Sequence, residues 1–309
     1  MNRKKLYVIW VIIFLITGCQ SNMRDLPEGV SFSRTEIAFA ELEWLPDSLQ
    51  LIGTSPVLPL DGINIGRDPS EVYLWDVETN EYTQVSDETF SLWNEHPVWH
   101  PDLELVLYYS NDEFGEDYEL GVVDLMGNII TKLEFGDSAD WIPNRNEILV
   151  NRVALLSLFD VESQLYKTIW LAEKGWSIVD IAVSPDGKEV AILLTDRSLV
   201  TQLIIIDLNE GSELKVFESP TRISQIDWDP SGSHLIFLNG SSSNELFAIT
   251  PDGKCMTDPF SLEYDIEDIS WSPNGERIAA STISDIDGVF FLDMSSQLLI
   301  DWLDSNSCQ

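Results

Sequence analysis

Basic residues are scarce in this chain. Lys and Arg together number 17 against 53 Asp and Glu, a formal net charge of −36. Nucleic acid needs a basic patch to bind, and so acidic a surface repels it, which excludes nucleic acid as a partner. Histidine is rarer still: His96, His100 and His234 are the full set. A zinc site of the usual three protein ligands therefore needs help from carboxylates. No G-x-S-x-G turn occurs, so a serine-hydrolase reading lacks its nucleophile. The longest apolar run, Leu6 to Ile16, is shorter than the roughly 20 residues of a membrane-spanning helix.

What the chain has is repetition. A short pattern recurs as "LEWLPDS" at Trp44, "PVWHPDL" at Trp99, "ADWIPNR" at Trp141, "IAVSPDG" at Val183, "IDWDPSG" at Trp228 and "ISWSPNG" at Trp271. Pro follows each lead position by two residues, and the spacings are 55, 42, 42, 45 and 43. Apolar residues alternate by twos, the strand period, and not by the 3–4 spacing of a helical solenoid. A period in the low forties built of strands is that of propeller blades with four strands each.

The other strands follow at fixed offsets. Seven residues after the lead stand Leu51, Val106, Ile148, Val190, Leu235 and Ile278, each inside a second strand. Third strands read "VYLWD", "LGVVD", "LSLFD", "LIIID", "LFAIT" and "VFFLD". Asp76, Asp124, Asp160, Asp207 and Asp293 end five of them, placed to cap the next turn through their side chains. Fourth strands are expected at "EYTQV", "IITKL", "LYKTIWL", "ELKVF", "CMTDPF" and "LLIDWL". The lead Trp rings are expected to pack between blades. The expected fold is all-β, a six-bladed β-propeller of four-stranded antiparallel blades. The blades start near residues 35, 91, 136, 176, 221 and 264, within a propeller spanning 35–304 and followed by a tail at 305–309.

The W-x-P-[DN]-G turn, with its apolar strand and its strand ending in Asp, resembles the TolB-type six-bladed propeller, whose units are called WD-like repeats. The resemblance covers about Thr35 to Asp304. It implies a platform on which other envelope proteins dock. The upstream domain of TolB and the downstream hydrolase domain of propeller peptidases have no counterpart in the residues present.

The first residues, "MNRKKLYVIWVIIFLITGCQSN", carry Arg3, Lys4 and Lys5, a short apolar core, then Thr17-Gly18-Cys19. A basic start, an apolar core and small residues before a cleavage point are those of an export signal peptide. Ile-Thr-Gly-Cys is similar to the lipobox of bacterial lipoproteins, which implies residues 1–18 as signal peptide and Cys19 as the lipidated residue, bearing palmitate. Residues 19–34 are then a tether, unless residues near Val30 to Ser33 add an edge strand that locks the ends of the ring, and the protein is exported and anchored to a cell or outer membrane by lipid alone. Removing the leader leaves 14 basic against 53 acidic residues, so no polybasic contact assists the anchor. Cys255 and Cys308 are expected on opposite faces, which argues against pairing them, although the exported setting permits a disulfide.

In a propeller the first strand of each blade lines the channel. Three residues before each lead stand Glu41, His96, Ser138, Asp180, Gln225 and Asp268, all polar; two before stand apolar residues in every unit. These six are expected to ring the channel mouth, with Glu43, Asp140 and Asp227 deeper in. A water-filled channel needs polar walls in any case. The functional reading is a ligand site at Glu41, His96, Asp180, Gln225 and Asp268 for a cation or a basic peptide. Calcium is one candidate, with Asp180 and Asp268 as its ligands; "SDIDG" at Ser284–Gly288 adds Asp285 and Asp287 only as a turn-like signal. His100 and His234 are expected to be solvated. The insertion Thr54–Ser70 has the length of a recognition loop. The function expected is a monomeric, non-enzymatic docking module for an envelope protein or peptide. The alternative is a polysaccharide lyase or hydrolase using channel acids.

Overall fold

The structure is a computed structural model of the 309-residue chain. It describes residues 26–35, 39–56, 70–86, 93–100, 102–111, 118–133, 136–220, 222–239, 244–262, 264–282, 288–305 and 307–308. The leader, Cys19, the centre of the 54–70 insertion, Asp285 and Asp287 lie outside the described residues.

Six four-stranded antiparallel blades surround a channel. In blade three Ser138–Trp141, Glu147–Arg152, Leu155–Asp160 and Leu165–Leu171 follow one another as a meander. Blade four repeats this with Trp176–Val183, Glu189–Asp196, Thr201–Asp207 and Glu213–Ser219. Each blade turns its second and third strands into a two-sided core: Ile148, Leu149, Val190, Leu193, Leu235 and Ile278 are fully buried. The outer strand of blade three, half of it exposed, borders solvent. The turn after each lead needs a left-handed residue, supplied by Gly187 (φ +67°) and Gly275 (φ +76°).

The Asp residues ending the third strands cap their turns as expected. Asp76 Oδ1 accepts from the N–H of Thr79 at 2.8 Å, Asp124 Oδ1 from Met126 at 2.9 Å and Asp207 Oδ1 from Glu210 at 2.7 Å. The lead tryptophans pack between blades, all at or below 8 % exposure.

Blade six departs from the expected order. "LLIDWL" is not its fourth strand: Gln297–Asp304 forms an α-helix, with Ser296 as N-cap accepting from Leu299 N–H. Leu299 and Trp302 are buried at helical spacing while Leu298 and Ile300 are partly exposed, a period of three that a strand cannot satisfy. The vacated edge is filled by Val30–Arg34, which pairs antiparallel with Gly288–Asp293 in the register Val30↔Leu292 to Arg34↔Gly288. Phe32 meets Phe290 at 4.7 Å between ring centroids. The segment read as the end of a tether is therefore part of the ring, and the first blade is joined to the last by shared backbone pairing.

Cysteine placement is also corrected. The helix returns the chain to blade five, whose outer strand is split into Cys255–Met256 and Phe260–Ser261. Ser307–Cys308 pairs antiparallel with Cys255–Met256, with Cys308 opposite Cys255, and Cys255 is disulfide-bonded. Trp302 Nε1 donates to the Asp258 carbonyl at 2.8 Å, so helix and disulfide fasten the C-terminus to the same blade.

Two outcomes follow for stability. Reducing the Cys255 disulfide should cost on the order of 4 kcal/mol from the loop it closes, read as a lower denaturation midpoint; an unchanged midpoint would refute the staple. Deleting residues 20–34 should lower Tm by roughly 10 °C or more, whereas deleting 20–25 should leave it unchanged, as thermal melts will show.

Candidate functional site

The inner strands converge on a cavity of about 170 Å³ in the channel, room for several waters. All six residues expected at the mouth line it: Glu41, His96, Ser138, Asp180, Gln225 and Asp268. Glu43, Asp140 and Asp227 line it too. Neither Lys nor Arg is among the described residues of its wall.

The backbone reaches this arrangement by bulging. Glu41 (φ +54°), His96 (φ +51°) and Gln225 (φ +54°) are left-handed, and the strand register slips beside each of them. A left-handed side-chain-bearing residue costs about 1–2 kcal/mol. Three such residues at one offset aim three polar side chains into the mouth.

The carboxylates also hold the blades together. Glu43 Oε2 accepts from Trp99 N–H at 2.5 Å, Asp140 Oδ2 from Val183 N–H at 2.7 Å and Asp227 Oδ2 from Trp271 N–H at 2.6 Å. Each bond runs from one blade to the lead residue of the next. At the other three junctions the lead indole takes over: Trp141 Nε1 donates to the Val98 carbonyl (3.2 Å), Trp228 Nε1 to Ala182 (2.9 Å) and Trp44 Nε1 to Ser270 (3.2 Å). Asp180 bonds the Ile226 N–H of blade five at 3.0 Å and its neighbour Ile181 at 2.9 Å. Glu41 accepts from Thr54 Oγ1 and His96 N–H, both at 2.7 Å, and its Oε1 lies 3.0 Å from His96 Nε2.

Crowding five acids into a narrow channel disfavours their charged forms. Burial, ahead of repulsion between neighbours, raises Asp140 and Asp227 to about 7, and burial alone, opposed by the N–H bonds it accepts, raises Asp180 to about 6. Glu43 and Asp268 are raised well above the ordinary carboxylate range by burial and by other channel acids.

One lining residue has no signature in the repeat. Tyr109, ten residues after the lead in blade two, is 6 % exposed, lines the cavity and meets His96 edge-on at 5.3 Å. Its hydroxyl has no hydrogen-bond partner; neither do Asn151 Nδ2 and Ser281 Oγ at the same offset in blades three and six. An alignment of second strands would have shown Thr54, Tyr109, Asn151 and Ser281 as polar interruptions of an apolar position.

Other expectations need revision. His100 is not solvated: it is 2 % exposed, packs on Trp141 at 4.5 Å, and its Nδ1 accepts from the N–H of Asp102 and Leu103. His234 is partly buried, with Nδ1 3.8 Å from Asp229. Neither lines the channel. Among the described residues no three His, Cys, Asp or Glu side chains are placed to hold a metal ion.

The mouth face carries further features. Val153 (φ +56°) and Leu199 (φ +64°) occupy the second-to-third-strand turns of blades three and four at 58 % and 59 % exposure. Val153 is tied to the mouth by its carbonyl, which accepts from Ile178 N–H at 2.6 Å. The ends of the 54–70 insertion extend the corresponding strands of blade one, pairing Thr54 with Val72 and Pro56 with Ser70. The insertion thus leaves from this same face.

No family model matches the chain, and no curated protein matches it. Solved structures similar to it include a chain of the crystal structure of the mitotic checkpoint complex (13 % identity, TM-score 0.57, covering 96 % of this chain and 100 % of that one). An oligogalacturonate lyase in complex with manganese is similar at 12 % identity and TM-score 0.54, over 89 % and 93 %. The Myceliophteria thermophila Cps50 (Swd1) beta-propeller domain is similar at 11 % and 0.56, over 85 % and 98 %. At such identities the likeness is one of fold, shared by a lyase, a chain of a checkpoint complex and a beta-propeller domain.

A pH dependence follows. Carboxylates raised in the folded state release protons on unfolding, so the folded state loses stability as pH rises from about 4 through 7. Asp229 and Asp252, held at about 2, act oppositely, but only in stronger acid. Tm should be higher at pH 5 than at pH 8, and Asp140→Asn with Asp227→Asn should flatten the difference. A Tm that rises toward pH 8 would contradict this assignment.

Proposed function

We propose that the protein is a TolB-like, exported lipoprotein: a non-catalytic docking module hung from a membrane by acylated Cys19, which binds an envelope protein or peptide at the mouth face of its propeller. The observation that carries the reading is the mouth itself. Strained backbone presents Glu41, His96 and Gln225 into an acid-walled cavity without a Lys or Arg, and exposed apolar residues in left-handed turns stand beside it. Strain concentrated on one face marks recognition better than stability.

Catalysis is the weaker reading. Glu43, Asp140, Asp180 and Asp227 each accept a backbone N–H from the next blade, so the acids that a lyase or hydrolase would use are also structural. Asp140 and Asp227 do have the raised pKa of a general acid, and the manganese-bound lyase shares the fold; turnover of an acidic polysaccharide by purified protein would favour that alternative.

Cys19→Ala should abolish palmitate labelling and move the protein from the membrane to the soluble fraction; unchanged fractionation would refute the anchor. A photo-cross-linker at Val153 should capture a stoichiometric partner in cells, while one at Ser231, in the opposite-face hairpin, should not. Val153→Asn should gain about 1 kcal/mol of stability by relieving the left-handed valine while weakening capture.

A further inference from the structure

The cavity wall holds Glu41, Asp180 and Asp268 at the rim, yet their spacing does not suit a metal ion, which needs several oxygens within 2.3–2.6 Å. A wall of dispersed acceptors suits a cation whose donors are themselves dispersed. Guanidinium has five N–H donors in a rigid plane, and it is less strongly hydrated than ammonium, so stripping its water in a narrow channel costs less. Asp180 retains acceptor capacity for it: each of its oxygens accepts one N–H, Oδ1 from Ile181 and Oδ2 from Ile226, leaving a lone pair on both.

Tyr109 provides the independent observation. Tyr109 lines the cavity, and its hydroxyl is buried and without a partner among the described residues; a buried polar atom without a partner marks a site completed by something else. Its oxygen can accept an N–H from a group seated among the rim acids. The His96 ring, which meets Tyr109 edge-on at 5.3 Å, adds an aromatic surface to the same wall.

We propose that the channel mouth binds one guanidinium group, the side chain of an arginine carried by the docking partner, held by Asp180, Asp268 and Glu41 with Tyr109 Oη as a further acceptor. The partner's part in this rests on the docking reading; the guanidinium site does not.

The test uses the full-length chain in detergent and agmatine, a guanidinium on a short alkyl chain, as probe, with Tm and calorimetric titration as readouts. Agmatine should bind saturably, and cadaverine and calcium roughly tenfold more weakly or not at all. Asp180→Asn and Asp268→Asn should each weaken agmatine roughly tenfold, and Tyr109→Phe, which removes only the orphaned hydroxyl, about fivefold. Absence of saturable agmatine binding, equal binding in the three variants, or cadaverine or calcium binding as tightly as agmatine would overturn the proposal. If agmatine fails while the Val153 cross-linker still captures a partner, the guanidinium site falls and docking stands. If agmatine binds with this variant pattern but no partner is captured, the site stands and docking falls.

Discussion

The ring depends on hydrogen bonds that cross from each blade to the next at the channel wall. A propeller has no continuous sheet to hold it closed, and apolar contacts between blade faces are non-directional. Here every junction between consecutive inner strands has a directed bond. Glu43, Asp140 and Asp227 reach forward to a backbone N–H at three junctions, and Trp44, Trp141 and Trp228 reach back with an indole N–H at the others. The two devices alternate around the ring. Where a carboxylate precedes, the following Trp271 leaves its indole without a partner; where a small or apolar residue precedes, the indole finds the exposed carbonyl.

That solution gives the channel its character. Three of the six junctions place an acid on the channel wall, so the interior is negative for reasons of assembly before any ligand is considered. The mouth adds Glu41, Asp180 and Asp268, and the left-handed backbone at Glu41, His96 and Gln225 shows that the direction of those three side chains is specified and not incidental. The buried acids share one field: burial raises the proton affinity of Glu43, Asp140, Asp180, Asp227 and Asp268, and repulsion from other channel acids adds to it at Glu43, Asp140, Asp227 and Asp268.

Most of the fold was legible in the sequence because the blades repeat one local solution: turn chemistry after a Pro, an Asp cap after the third strand in five of the six, a tryptophan at the seam in five of the six. The mouth ring was legible for the same reason, as a polar offset that recurs six times. What escaped was whatever breaks the repeat. Val30–Arg34 bears no blade motif, so its sequence offered an edge strand only as an alternative to a tether, yet it supplies the edge of blade six. "LLIDWL" carries apolar residues dense enough for either a strand or a helix, and only the occupied edge decided between them. Cys308 reaches Cys255 because that helix reverses the chain, and Tyr109 serves the channel from a second strand, where an aromatic ordinarily signals core.

The pairing of Val30–Arg34 with Gly288–Asp293 has a mechanical side. Any tension applied to the N-terminus enters the ring along the axis of that strand, so its five register pairs are strained together in shear and do not peel one at a time. The segment from residue 20 to 29 spans at most roughly 35 Å when taut. Slack is therefore short, and a tug on the N-terminus would be felt first at the outer edge of blade six.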